Sequence, residues 1–149
     1  MEYAKSHTYD DTLEYKLCAV IVSGGSVVSV GYNKRNTNAF VEHYADLARG
    51  GGRTYCMSTH AELDAILAVR SKIDLSGSKI YVARLRKHKG MEPIGMARPC
   101  PICERALFAY GIKRAYYTID ANYYGIMKPN AEAPTSACDK IVRVDYFEV

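Results

Sequence analysis

A three-layer α/β domain, with helices covering a central mixed β-sheet, is the fold class the sequence predicts. Three observations lead there. Strand-like and helix-like segments alternate along the chain instead of falling into separate halves. The strand-like segments are short and rich in β-branched residues, as buried strands are. With 149 residues the chain has enough length for one domain with a proper core, so residues 1–149 read as a single domain.

The elements follow in order. Residues 1–15 are polar and poorly periodic, with at most a short first helix. Leu17–Ser23 (L-C-A-V-I-V-S) reads as a buried strand. Gly24-Gly25-Ser26 is a hairpin turn, and Val27–Gly31 returns as the second strand. Residues 34–58 form a long connection that contains Arg35, His43, Arg49 and Gly50-Gly51-Gly52-Arg53. No G-K-[ST] follows these glycines, so they make no Walker phosphate loop, and a flexible loop is expected. Loops of this length are often functional. Thr59–Ser71 reads as a helix, with Leu63, Ile66, Leu67 and Arg70 at helical intervals. Thr59 is its expected N-cap, with Glu62 three residues on as in a capping box.

After the Ser76-Gly77-Ser78 turn, Lys79–Ala83 is a strand. Arg84–Arg98 is then a long basic loop containing Arg84, Arg86, Lys87, His88, Lys89 and Arg98. Cys100–Tyr110 is a second helix, started by Pro99 and Pro101 and closed by Gly111. Arg114–Ile119 is a strand. Asp120–Lys140 reads as loop, with room for a turn of helix at Ala121–Met127, and Ile141–Val149 reads as a final strand. The order is β-β-α-β-α-β and a last β segment, without internal repeats or low-complexity tracts.

Composition narrows the class. The formal charge is +4, a mild basic excess that suits an anionic ligand but does not by itself argue for nucleic acid. No stretch resembles a signal peptide or a membrane span; the longest apolar run is Leu17–Val22. A cytoplasmic, reducing setting without disulfides is therefore expected for the five cysteines. Cys138 reads as a free thiol. The thirteen tyrosines read mostly as half-buried packing residues.

Two runs carry the chemistry. His60-Ala61-Glu62 opens the first long helix, and Pro99-Cys100-Pro101-Ile102-Cys103 opens the second. One imidazole and two thiolates are a donor set for zinc, and a catalytic zinc takes three protein ligands and leaves a position for water. Cys100 and Cys103 are three apart, so on a first helical turn they face one side. A helix N-terminus also favours the thiolate form. Glu62 stands two residues past His60, placed to move protons without being a ligand. Other readings stay open. Cys56 and His60 are spaced C-x3-H, so Cys56 could close a structural site. A C-x-x-C alone also suits redox chemistry, and Glu62 could be committed to capping.

Together the runs read H-x-E…P-C-x-x-C, which resembles the signature of the zinc deaminases. With the strand–helix alternation of residues 17–120, the chain resembles the cytidine deaminase superfamily, in particular its deoxycytidylate (dCMP) deaminase branch. Gly31-Tyr32-Asn33 resembles the G-Y-N after the branch's second strand. Cys56–Ile66 resembles its C-x3-H-A-E-x-x-A-I helix, and Pro99–Tyr117 its P-C-x-x-C…G-I-K-R…Y stretch. The tRNA adenosine deaminases share H-A-E and P-C-x-x-C.

The resemblance implies a cytidine-deaminase-like fold and a zinc-dependent hydrolytic deaminase acting on a cytosine nucleotide or nucleoside, dCMP to dUMP first, with release of ammonia. It implies zinc on His60, Cys100 and Cys103, proton transfer by Glu62, a base contact from the Ala61 backbone amide, a sugar contact from Asn33 and stacking by Tyr117. Cys18, His43 and Cys56 are candidates for an accessory zinc, and a homo-oligomer is implied.

The family joins its third strand to P-C-x-x-C by a very short link, whereas a basic insertion stands here. That insertion could grip the 5′-phosphate of a mononucleotide. It could also track single-stranded DNA or RNA, as in deaminases of cytosine or adenine in nucleic acid, or be a solvated surface loop. A rival of another class is a non-enzymatic zinc module closed by Cys56.

Overall fold

A computed structural model describes residues 15–48, 58–86, 94–130 and 139–144. The chain opens with an antiparallel hairpin, β1 (Tyr15–Ser23) and β2 (Ser26–Tyr32). Gly24 and Gly25 turn it with φ of 59° and 80°, the positive pair a two-residue hairpin needs to match the strand twist. Then come α1 (Ala39–Ala48), α2 (Ala61–Val69), β3 (Lys79–Arg86), β4 (Ile94–Gly95), α3 (Pro101–Ala109), β5 (Arg114–Thr118), β6 (Tyr123–Met127) and β7 (Lys140–Arg143).

The strands form one mixed sheet in the order β2-β1-β3-β5-β6-β7, with β4 also on β3. β3 and β5 pair in parallel, so the chain must cross over between them, and α3 lies in that crossover. β5 pairs with Lys79–Val82 and β4 with Arg84 and Leu85, so β4 continues the row of β5 along β3. Thr118 stitches that junction: its hydroxyl accepts from the Arg84 amide at 3.1 Å and donates to Gly95 O at 2.8 Å.

The two faces of the sheet carry different neighbours, as the period of two requires. Ala19, Ile21, Ile80, Val82 and Ala115 face the helices and join Val41, Leu63, Ile66 and Leu107 in one core. Cys18, Val20 and Ala83 form a smaller cluster on the opposite face. The α/β class and the mixed sheet are thus as the sequence predicts. Among the described residues the layers are the sheet and one layer of helices; the helix expected within residues 1–15 lies almost wholly outside them.

Three expectations need correction. Residues 34–58 are not loop throughout, because α1 occupies Ala39–Ala48. Asn38 caps it, accepting the Val41 amide on Oδ1 at 3.0 Å. Val41 and Ala45 are fully buried and Phe40 meets Tyr110 at 6.1 Å between ring centroids. Burial against α3 stabilises a helix whose flanking Asn, Thr and Gly residues signal a loop. The basic stretch Arg84–Arg98 is also partly sheet. β3 runs to Arg86, paired with β1 along its whole length, and β4 returns; ladder bonds are made by the backbone, so the arginines do not end the strand. Residues 87–93 lie outside the described set. Finally, Ala121–Met127 is no helical turn. Asp120 Oδ1 accepts the amides of Asn122 and Tyr123 at 2.7 and 2.9 Å, and this tight turn sends β6 back along β5. The last strand is described as Lys140–Arg143.

Among the described residues no helix is long and apolar enough to cross a membrane.

Candidate active site

Two helices aim their N-termini at one place. His60 is the N-cap residue of α2 and Cys100 that of α3. Both have extended backbones, and neither side chain caps its own helix. Their side chains turn towards each other instead. Nδ1 of His60 lies 3.4 Å from Sγ of Cys100 and 3.3 Å from Sγ of Cys103. The three donor atoms all fall within 4.8 Å of one another. A tetrahedral ion about 2.0 Å from nitrogen and about 2.3 Å from sulfur would set its N···S edges near ~3.5 Å. Donor chemistry and spacing therefore both fit zinc.

The two helix N-termini bring partial positive charge to the thiols. The Cys100 thiol is pushed down to about 4, first by its hydrogen bond with Cys103 and then by His60, against the effect of burial. Burial pushes Cys103 well up, so Cys100 gives up its proton first. The hydrogen bond with Cys100 is the main cause that raises His60 to about 9.

The capping box at the start of α2 does not form. Thr59 bridges to Lys34 through both backbone groups, at 2.9 and 3.0 Å, and its hydroxyl donates to Asn36 O at 2.8 Å. Glu62 is therefore released from capping. It is 3% exposed, and its Oε1 has no hydrogen-bond partner among the described residues. Burial, and then the neighbouring Cys100, raise its carboxyl pKa.

Beside this cluster opens a cavity of about 650 Å³, a size suited to a small molecule. His60, Ala61, Glu62 and Cys100 line it, and Asn33, Lys34, Arg35, Arg84 and Arg98 are also part of its wall. The lining thus includes four cationic side chains and the Glu62 carboxylate. Asn33 is fixed to β1: its Oδ1 accepts the Leu17 backbone N–H at 2.8 Å and its own backbone N–H donates to Leu17 O at 3.3 Å. Lys34 Nζ reaches Asp64 Oδ1 at 2.8 Å, and Asp64 Oδ2 accepts the Tyr32 amide at 3.0 Å. Ala61 is buried in the first turn of α2, where amides have no intrahelical partner.

The structure does not bring Tyr117 to the cavity. It is 2% exposed, its ring lies against Gly125, and its hydroxyl donates to Asp139. The proposed accessory cluster is not assembled either. Cys18 is buried on the sheet face opposite the helices, with its thiol raised to about 12 by burial. His43 is exposed on α1, edge-on to Tyr44. Cys56, and with it the closed four-ligand site, lies outside the described residues. Asp64, Glu104 and Asp139 bear on the site without any local signal in the sequence; each acts through a residue distant in the chain.

The model of the cytidine and deoxycytidylate deaminase zinc-binding region matches residues 1–119. No curated protein matches the chain. Among solved structures it is similar to the apo dCMP deaminase of cyanophage S-TIM5, at 20% identity and a TM-score of 0.48, covering 79% of this chain and 75% of that one. The same enzyme in complex with dCMP and dUMP is similar at 21% identity and a TM-score of 0.44, covering 68% and 63%. A diaminohydroxyphosphoribosylaminopyrimidine deaminase/5-amino-6-(5-phosphoribosylamino)uracil reductase of Thermotoga maritima follows, at 21% and 0.38, covering 71% and 23%. The assignment rests on the family match, which spans most of the chain and both of its motifs: this protein belongs to the zinc-dependent cytidine and deoxycytidylate deaminase family.

Proposed function

We propose that the cavity performs the hydrolytic deamination of a cytosine mononucleotide, dCMP foremost, giving the uracil nucleotide and ammonia. The observation that carries this is Glu62: a buried carboxylate with an unpartnered oxygen, in the cavity lining beside a three-donor cluster. A structural zinc site has no use for such a group.

His60 Nδ1 and the thiolates of Cys100 and Cys103 hold the zinc. When bound, zinc supplies the Lewis acidity that lowers the pKa of water towards about 7. Glu62 takes the proton that water loses as its oxygen adds at C4 of the ring. It delivers that proton to N3, then carries the second proton to the leaving amine. Burial raises its carboxyl pKa, a shift in the direction that helps a carboxylate accept a proton. The Ala61 amide, at a helix N-terminus, donates to the base carbonyl. Asn33, on the cavity lining, is assigned the sugar contact. The cations of the wall favour a phosphorylated substrate over a free nucleoside.

The test is ammonia release by the zinc-loaded protein on cytidine, deoxycytidine, CMP, dCMP, dCTP, their adenine equivalents and a single-stranded oligonucleotide. Turnover led by dCMP is expected. Turnover of the oligonucleotide alone would overturn the mononucleotide reading, and silence on every substrate would overturn deamination of these bases.

A further inference from the structure

The P-C-P-I-C run is gripped at both ends by residues beyond the family match, which stops at residue 119. Arg98 stands two residues before Cys100. Its Nε donates to Asp139 Oδ2 at 2.7 Å and its Nη2 to Asp139 Oδ1 at 3.3 Å, a fork-to-fork pair that fixes orientation as well as distance. The Asp139 side chain is 3% exposed, and the Tyr117 hydroxyl donates to its Oδ2. Arg98 Nη1 donates to Pro99 O at 3.3 Å, so the guanidinium also holds the turn that presents Cys100.

At the other end Glu104 follows Cys103 directly. It is 2% exposed, and its Oε2 accepts the Asn130 amide at 2.9 Å. Its Oε1 lies 3.7 Å from Arg98 Nη1, which closes the ring around both cysteines. Arg98 lines the cavity, yet it is poorly suited to grip a substrate anion. Three of its five N–H groups are directed at Asp139 and Pro99, and two carboxylates offset its charge. Its geometry is that of a brace.

We propose that Asp139 is a positioning residue of the metal centre. Through Arg98 it holds the Arg98-Pro99-Cys100 turn, and with the Asn130–Glu104 bond it sets where the two thiolates stand. Asn130 and Asp139, both described and both after β6, are therefore part of the metal site although neither is one of its ligands. This rests on the reading that His60, Cys100 and Cys103 hold zinc.

The experiment uses the full chain and zinc itself as the probe, with affinity measured by competition against a chromophoric chelator. The absorption of the cobalt-substituted protein reports thiolate geometry alongside. Asp139→Asn is expected to weaken zinc about 10–100-fold, as loss of a partner that orients a ligand does, and to alter the cobalt spectrum. Ile80→Val, a core change that removes none of the brace's hydrogen bonds, is expected to lower Tm and leave zinc affinity unmoved, which separates positioning from general loss of stability. Wild-type affinity and spectrum in Asp139→Asn would overturn the proposal. Should that variant not fold, Tyr117→Phe decides in the same way, with a smaller loss expected and none overturning it. A wild-type protein that binds no zinc would instead overturn the reading beneath it.

Discussion

Gly31 of β2 lies directly beneath Ala65 of α2. A Cβ placed on Gly31 would stand 2.8 Å from the Ala65 Cα, and closer still to the Ala65 nitrogen and the Ala61 carbonyl oxygen. These are backbone atoms and cannot rotate aside. On the same strand the Ser29 hydroxyl donates to Ala65 O at 2.7 Å. The helix that carries Glu62 is thus seated on the hairpin that leads to Asn33, and the requirement for glycine is one of space.

Gly31→Ala should therefore lower stability by about 1–3 kcal/mol, the usual range for overpacking, and displace α2. Urea unfolding reads the first effect. The second appears as a loss of turnover under conditions where the variant is fully folded. Wild-type stability would mean that α2 is not held against β2 as described.

Glu62→Gln should keep its zinc and lose turnover by about 10²–10⁴-fold, the range for removal of a general acid–base group. His60→Ala should lose both. Zinc content by atomic absorption, measured beside ammonia release, separates the two cases. A Glu62→Gln protein with normal turnover would contradict proton transfer by this residue.

Most of this site was readable because its signals are local. His60-Ala61-Glu62 and Cys100-x-x-Cys103 declare themselves by spacing, and the proline and glycine that bound α3 follow from backbone geometry. Other features depend on distant partners. The stripe of Phe40, Val41 and Ala45 becomes a helix through its packing partners. Gly125 suggests no strand until the Tyr117 ring is seen to lie over it. The Arg98–Asp139 pair spans 41 positions and Lys34–Asp64 spans 30, so no local pattern announces either. The capping box at Thr59 failed for the same reason: a long-range bridge to Lys34 claimed the residue first.

Tyr117 should make the fold sensitive to alkali. Burial first, and then Asp139, raise its hydroxyl from about 10.0 to about 12. In that window the folded chain keeps a proton that the unfolded chain releases. Its contribution is complete below the lower value and falls as pH rises, by up to about 1.4 kcal/mol per unit. The difference in unfolding free energy between wild type and Tyr117→Phe should shrink across this range. A difference independent of pH would mean that the hydroxyl is not held as described.

The wall cations divide by what surrounds them, and that division predicts how the substrate is chosen. Arg98 is braced by Asp139 and offset by Glu104. Lys34 pairs with Asp64, but its side chain is 52% exposed and stays open to an anion. Arg35 is exposed beside it on the same wall. Lys34→Ala and Arg35→Ala should each raise KM for dCMP about tenfold or more, since a hydrogen bond to a charged group contributes about 1.5–3 kcal/mol. KM for deoxycytidine should change little. Added salt should weaken dCMP binding in the wild type and less so in the variants, because the interaction being screened is gone. An equal rise in KM for nucleotide and nucleoside would place these cations on the sugar or base, and the preference for a phosphate would have to come from Arg84 or from residues outside the described wall.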